Sequence, residues 1–326
     1  MIDVADVEQA ASRLRGVALR TPLIENPALN EIAGGRVLLK AECFQVTGSF
    51  KIRGAYNLLS QLTTEQAARG VVAFSSGNHA QGVAAAARSL GIRARIVMPA
   101  DAPITKLENT RRLGGEVITY DRATGDREAI AREIAAQNAA PVVPSFDHPH
   151  IMAGQGTVGL EIAEQCEAMC VRPDQVMICC GGGGLTAGSA VALESRIPGV
   201  EIFTVEPDAF DDTARSLELG RRVAVEPGAQ SICDALLTEM PGELTFAVNR
   251  RLVSRGLTVS ETEVHNAMRF AFSEMKLVLE PSGAVALAAV LAGKVTTSGR
   301  STVAVLSGGN VDFERYSAVQ IPRSTG

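Results

Sequence analysis

Between Val71 and Val143, short apolar runs alternate with amphipathic stretches at a spacing that leaves few architectures open. Val71 to Ser75 reads as a strand, His79 to Leu90 as an alanine-rich helix, and Ala94 to Met98 as a strand. Ile104 to Leu113 then reads as a helix, Glu116 to Tyr120 as a strand, Asp126 to Gln137 as a helix and Val142 to Val143 as a short strand. A helix between each pair of strands rules out hairpins, so the strands are expected parallel in one sheet with helices on both faces.

After a turn-rich break from Pro144 to His150 the pattern resumes, with a helix from Thr157 to Ala168 and a strand from Val176 to Cys180. Leu185 to Leu193 (helix), Glu201 to Val205 (strand), Glu261 to Met275 and Ser282 to Leu291 (helices) and Thr302 to Leu306 (strand) follow. Upstream, residues 5 to 16 read as an amphipathic helix and Arg36 to Glu42 as the first strand. Residues 207 to 241 are the least regular, and Arg323 to Gly326 are expected to fray. At 326 residues the chain exceeds what one core usually holds, so two α/β domains are expected.

Composition excludes several classes. The net charge of −5 is mild with basic residues scattered, and aromatics are only 4% with no Trp, so neither a phosphate footprint nor stacking platforms for nucleic acid are expected. No apolar run is long enough to span a bilayer, and the first residues lack the basic and apolar regions of a signal peptide, so a cytoplasmic protein is expected. The six cysteines show no secreted spacing and read as reduced thiols. Cys166 and Cys170 lie one helical turn apart, but nothing completes a zinc site.

The segment before the regular region carries the first chemistry. Thr47-Gly48-Ser49 followed by Phe50, Ala55, Leu58, Leu59 and Leu62 reads as a helix with a Thr or Ser cap, which puts Lys51 in the first turn. A cation there is opposed by the positive end of the helix dipole. Lysine at that end has its pKa lowered, as Schiff-base chemistry with a carbonyl requires.

Other candidates stand at strand ends, where open α/β sheets bind ligands. Ser75 to Gly82 joins a strand to a helix whose first amides suit a carboxylate. Gly181 to Gly184 follows an apolar strand and lets backbone amides approach a phosphate, while the absence of a following Lys-Ser/Thr excludes a nucleoside-triphosphate loop. Gly154 to Gly159 matches G-x-G-x-x-G but follows no clear strand, which argues against a dinucleotide. Ser307 to Asn310 ends a buried strand, and Glu206 to Asp212 is dense enough in oxygen ligands for Mg²⁺ or Ca²⁺, or is simply an acidic helix start.

Together, Thr47 to Ala55, Ser75 to Gly82, Ala153 to Thr157, Gly181 to Gly184 and Ser307 to Asn310 resemble, in order and nearly end to end, the fold-type II pyridoxal-phosphate enzymes of the threonine/serine dehydratase and serine racemase family. The resemblance implies a tryptophan synthase beta-like α/β fold with two open parallel-sheet domains and the cofactor between them. Residues 1 to 52 and 148 to 326 would form the large domain and residues 53 to 147 the small one. It implies that Lys51 carries the cofactor and then acts as the base at Cα, that Phe50 packs on the ring, and that Asn78 meets the ring hydroxyl. Gly181, Gly182, Gly183, Gly184 and Leu185 would hold the phosphate and Ser307 the ring nitrogen, a weaker electron sink than an aspartate would make, favouring β-elimination.

By the same resemblance, Ser75, Asn78 and His79 would bind the substrate carboxylate, and Ser76 matches the serine that reprotonates Cα in racemases. Arg127 falls where serine racemases place an arginine near the active site, and reads either as a partner for a second carboxylate, as in 3-hydroxyaspartate, or as a solvent-facing side chain. Glu206, the Phe210 carbonyl and Asp212 match the family's structural cation site. Ser231 to Ala235 departs from the family's Ala-Asp-Gly at the substrate wall, which leaves the side chain of the substrate open. The implied activity is dehydration and deamination of an L-threonine or L-serine type substrate by a cytoplasmic homodimer. 3-Hydroxyaspartate dehydratase, another hydroxylated amino-acid dehydratase and serine racemase are the alternatives. No isoleucine-responsive regulatory domain is expected. From other classes stand a nicotinamide oxidoreductase using Gly154 to Gly159 and a non-catalytic binder keeping only the glycine loop.

Overall fold

A computed structural model describes residues 1–102 and 104–320, so the expected fraying of residues 323–326 lies outside the described residues. Six strands form one sheet in the order β1 (Leu23–Glu25), β2 (Arg36–Ala41), β9 (Ser301–Leu306), β6 (Gln175–Cys179), β7 (Glu201–Pro207) and β8 (Arg255–Val259). Only β1 runs antiparallel to its neighbour. A second sheet, parallel throughout, holds β3 (Val71–Phe74), β4 (Ala94–Pro99) and β5 (Glu116–Tyr120). All five residues of β6 are buried, as expected of a strand covered on both faces.

Helices α3 (Lys51–Leu59), α4 (Thr64–Arg69), α5 (Asn78–Leu90), α6 (Ile104–Arg112) and α7 (Arg127–Asn138) accompany the small sheet. Around the larger sheet stand α1 (Val4–Arg13), α2 (Pro27–Ala33), α8 (Pro149–Ala168), α9 (Gly184–Arg196), α10 (Asp212–Leu219), α11 (Glu243–Leu252), α12 (Glu261–Met275), α13 (Pro281–Leu291) and α14 (Phe313–Gln320). Among the described residues no helix is long and apolar enough to cross a membrane.

Several expectations need correction. The break at 144–150 ends earlier, because Pro149 takes the first position of α8 and the His148 side chain caps it. Gly154 to Gly159 therefore lies inside that helix, which removes the dinucleotide reading. Those glycines permit close backbone packing instead: a Cβ on Gly154 would meet the Arg53 carbonyl at 2.6 Å, and one on Gly159 the Ser189 carbonyl at 2.5 Å. Val142 makes only an isolated bridge to Val72 and no strand. The irregular region contains α10, and β7 continues to Pro207 because β8 pairs with it there.

Helix α3 has no side-chain cap. Phe50 is its N-cap, and the hydroxyls of Thr47 and Ser49 are buried without partners. Backbone pairing replaces the cap: Phe50 N–H donates to the Ser307 carbonyl at 3.2 Å and Gly309 N–H to the Gly48 carbonyl at 2.9 Å. The start of α3 is thereby tied to the end of β9.

Candidate active site

A cleft of about 360 Å³ gathers strand ends and helix starts from both sheets. Phe50 and Lys51 reach it from α3, Ser75, Ser76, Asn78 and His79 from the turn into α5, Gly181 to Leu185 from the turn into α9, and Ser307 from the end of β9. Arg127, at the start of α7, lines it with its guanidinium carbon 5.8 Å from the Phe74 ring centroid. Residues that the sequence scatters over more than 250 positions are thus brought together.

Lys51 Nζ donates a 2.9 Å hydrogen bond to the Ser145 carbonyl and lies 5.1 Å from the Phe50 ring centroid. Burial depresses the amine to about 8, against the opposing pull of Cys179 and Glu280. Desolvation rather than the helix dipole is the main cause. His79 Nε2 faces the Val143 carbonyl at 3.0 Å. Burial and the nearby Lys51 charge hold the imidazole down to about 3, so the neutral ring donates through Nε2 and leaves Nδ1 unprotonated. The ring has no proton to give a carboxylate, whereas the first amides of α5 have no acceptor within the helix.

The glycine loop is shaped by its neighbours. A Cβ on Gly182 would lie 2.3 Å from the Phe146 ring, and Gly183 has φ +90°. Carbonyls of the loop are taken up by α11, with Thr245 Oγ1 donating to Gly182 O at 2.6 Å. Helix α9 starts without a side-chain cap. A glycine turn opening onto an uncapped helix and a buried amine of lowered pKa across the cleft are the donor set that a phosphorylated carbonyl compound needs, so the residues fit pyridoxal phosphate.

Sequence reading missed several lining groups. Glu280, Ser145, Phe146 and Cys179 all line the cleft, with burial pushing the Cys179 thiol up to about 11. Lys106 and Asp234 pair at its mouth at 2.7 Å, with Arg315 3.4 Å from the same carboxylate. Asp234 belongs to the segment already marked as unusual, but Lys106 and Arg315 carry no local signal. The Glu206, Phe210 and Asp212 group stands outside the cleft lining. Glu206 accepts N–H bonds from Thr213 at 2.9 Å and Ala214 at 2.8 Å, whereas Asp212 Oδ2 is buried and unpartnered. Burial raises both carboxyls, Asp212 to about 7. Among the described residues no three His, Cys, Asp or Glu side chains converge on a metal position.

The family described as pyridoxal-phosphate dependent enzyme matches residues 14–308. An L-threo-3-hydroxyaspartate ammonia-lyase from Pseudomonas sp is 43% identical over 314 residues, covering 96% of this chain and 97% of the relative. A serine racemase of Schizosaccharomyces pombe is 41% identical, covering 95% of each chain. The crystal structure of a T.th. threonine deaminase superposes with a TM-score of 0.90 at 42% identity, covering 96% of this chain and 99% of the other.

Proposed function

The chain belongs to the pyridoxal-phosphate dependent enzymes, and from that premise we propose that it is a carbon–oxygen lyase converting a β-hydroxy amino acid of the L-threonine or L-serine type to a 2-oxo acid and ammonia. The observation that carries the reading is the placement of Lys51 across one cleft from the Gly181 to Gly184 turn.

Bound pyridoxal phosphate supplies a carbonyl that condenses with the substrate amine and a ring that accepts the Cα electrons. Lys51 would hold it, with the amides of Gly181 to Leu185 on the phosphate, Phe50 against the ring, and Asn78 and Ser307 at its polar edge. Toward the substrate, the Ser75 hydroxyl and the amides of Asn78 and His79 would hold the carboxylate at the start of α5. Lys51 Nζ, brought near neutrality by burial, takes the proton from Cα. Phe146 and Leu236 help keep water from the reacting atoms.

A second reading is favoured by Arg127, whose guanidinium faces the cleft and suits a β-carboxylate, as in 3-hydroxyaspartate, the substrate in the name of one relative. Ser76 in the cleft supports an accompanying racemase activity. Presenting L-threonine, L-serine and the 3-hydroxyaspartate isomers separately to cofactor-loaded protein tests both readings, with 2-oxo acid, ammonia and D-serine measured. Release of 2-oxo acid from one of them is expected; none from any would overturn the lyase.

The proposal extends to the domains, a cation and the assembly. Residues 53–147 form the small domain, which is supported by all three strands of the smaller sheet falling within them. The unpartnered Asp212 Oδ2 beside Glu206 supports a Mg²⁺ or Ca²⁺ held with the Phe210 carbonyl and completed by other oxygen ligands. The homodimer rests on the family resemblance alone, with sedimentation as its test, and the six free cysteines favour a reducing compartment such as the cytoplasm.

A further inference from the structure

Glu280 is the N-cap of α13, yet its side chain makes no capping hydrogen bond. It turns into the cleft, where the residue is 4% exposed. Glycine at 308 makes this possible, because a Cβ there would meet Glu280 Oε1 at 2.2 Å. In this position Oε1 accepts a 2.6 Å hydrogen bond from Asn78 Nδ2. Asn78 Oδ1 in turn accepts from Asn310 Nδ2 at 2.8 Å, and the same Asn310 nitrogen donates to the Thr47 carbonyl at 2.8 Å.

Asn78 opens α5, which follows a strand of the smaller sheet, whereas Glu280, Asn310 and Thr47 flank elements of the larger one. The hydrogen-bond chain therefore crosses the cleft and fixes both ends of one amide. An amide held at its oxygen and its nitrogen has one orientation, which is what a group meeting a bound ring must have.

We propose that Glu280 is a positioning residue that fixes the Asn78 side chain across the cleft, so that Asn78 and the first turn of α5 are set in place for cofactor and substrate. The inference rests on the cleft being the catalytic site proposed above. The charge on Glu280 follows from its surroundings. Asp234 faces it from the loop before α11, Lys106 from α6 and Lys51 from α3, with the thiols of Cys43, Cys179 and Cys233 nearby. Burial, reinforced by Asp234, outweighs the Asn78 hydrogen bond and the two lysines and raises the carboxyl to about 8. At neutral pH Glu280 is an uncharged acid. Ionisation above that point adds a negative charge that holds the proton on Lys51 and repels a substrate carboxylate, so kcat/KM falls on the alkaline side.

The test compares wild type, Glu280→Gln, Glu280→Ala, Asn78→Ala and the double alanine variant, each loaded with pyridoxal phosphate. Glutamine keeps the acceptor and cannot ionise. It is expected to bind cofactor within about threefold of wild type and to lose the alkaline fall, whereas Glu280→Ala leaves the Asn78 donor unpaired and binds about tenfold or more weakly. Asn78→Ala and Glu280→Ala are expected to be non-additive. A glutamine variant as weak as alanine, an alanine variant that binds like wild type, or additive effects would overturn the proposal. Infrared difference spectra of the substrate-free protein, wild type minus Glu280→Gln, give an independent reading that cancels the other raised carboxyls. A protonated-carboxyl band titrating near 8 is expected in the difference, and its absence at neutral pH would overturn the charge assignment. Because this readout involves no turnover, it separates failure at Glu280 from failure of the substrate reading.

Discussion

Arg53, two residues beyond Lys51, grips the Glu42 carboxylate with two bonds: Nε to Oε2 and Nη2 to Oε1, both 2.8 Å, with both side chains buried. The same guanidinium reaches Glu161 at 2.7 Å, and Lys40 meets the other Glu161 oxygen at 2.6 Å. Two cations and two anions thus neutralise one another beneath α3 and anchor the helix that carries the candidate catalytic amine.

Removing one partner of such a set leaves an uncompensated buried charge. Glu42→Ala is expected to lower unfolding stability by about 3–5 kcal/mol, measured by urea denaturation of the cofactor-free protein. A loss under about 1 kcal/mol would contradict the anchoring role.

Gly182→Ala drives a methyl into the Phe146 ring, with 2.3 Å between the atoms. An overpacking cost of about 1–3 kcal/mol is expected, with weaker cofactor binding, because Phe146 packs directly on the loop, beside both Gly182 and Gly184. Fluorescence titration with pyridoxal phosphate reads the affinity. Adding Phe146→Ala is expected to recover a measurable part of the loss, and additive damage would place the defect elsewhere.

Buried His79 makes stability fall on acidification. Its folded pKa of about 3 lies below the ordinary value of 6.5, so the unfolded chain takes the proton first. The contribution is complete above 6.5 and is lost as pH falls from there toward 3. Urea midpoints of wild type and His79→Gln across this range, compared as a difference, remove the contribution of other titrating groups. A difference that does not vary with pH would mean that the ring is not buried neutral.

Arg127→Ala is expected to lower kcat/KM for 3-hydroxyaspartate by about tenfold and to leave L-serine nearly unchanged, since an exposed guanidinium adds only part of a full charge-assisted hydrogen bond. Equal losses on both substrates would remove Arg127 from side-chain recognition.

What was legible in the chain follows from how local the determinants are. Buried parallel strands such as β4 and β6 are apolar runs and announce themselves, and α12 carries a Ser260–Glu263 capping box at its start. β8 does not, because Arg255-Gly256 breaks the run, and Gly256 is there so that α10 can approach, a Cβ meeting Ala214 Cα at 2.4 Å. The cap expected on α3 was overridden by backbone pairing with the Ser307 to Gly309 segment. Lys51 and the glycine loop stood out because a cation at a helix start and four consecutive glycines are locally costly. Glu280 did not, since only the glycine at 308 and the amide at 78, both distant in sequence, turn it into the cleft. The G-x-G-x-x-G match could be discounted from the missing strand before it, and its place inside α8 shows that small residues serve helix packing as readily as phosphate binding.

The central claim is that Lys51 is the residue that carries pyridoxal phosphate. The most direct measurement is borohydride reduction of the cofactor-loaded protein followed by peptide mass spectrometry. The reduced cofactor is expected on the peptide containing Lys51 and absent from the protein after Lys51→Ala. Attachment at another lysine, or none in wild type, would contradict the account.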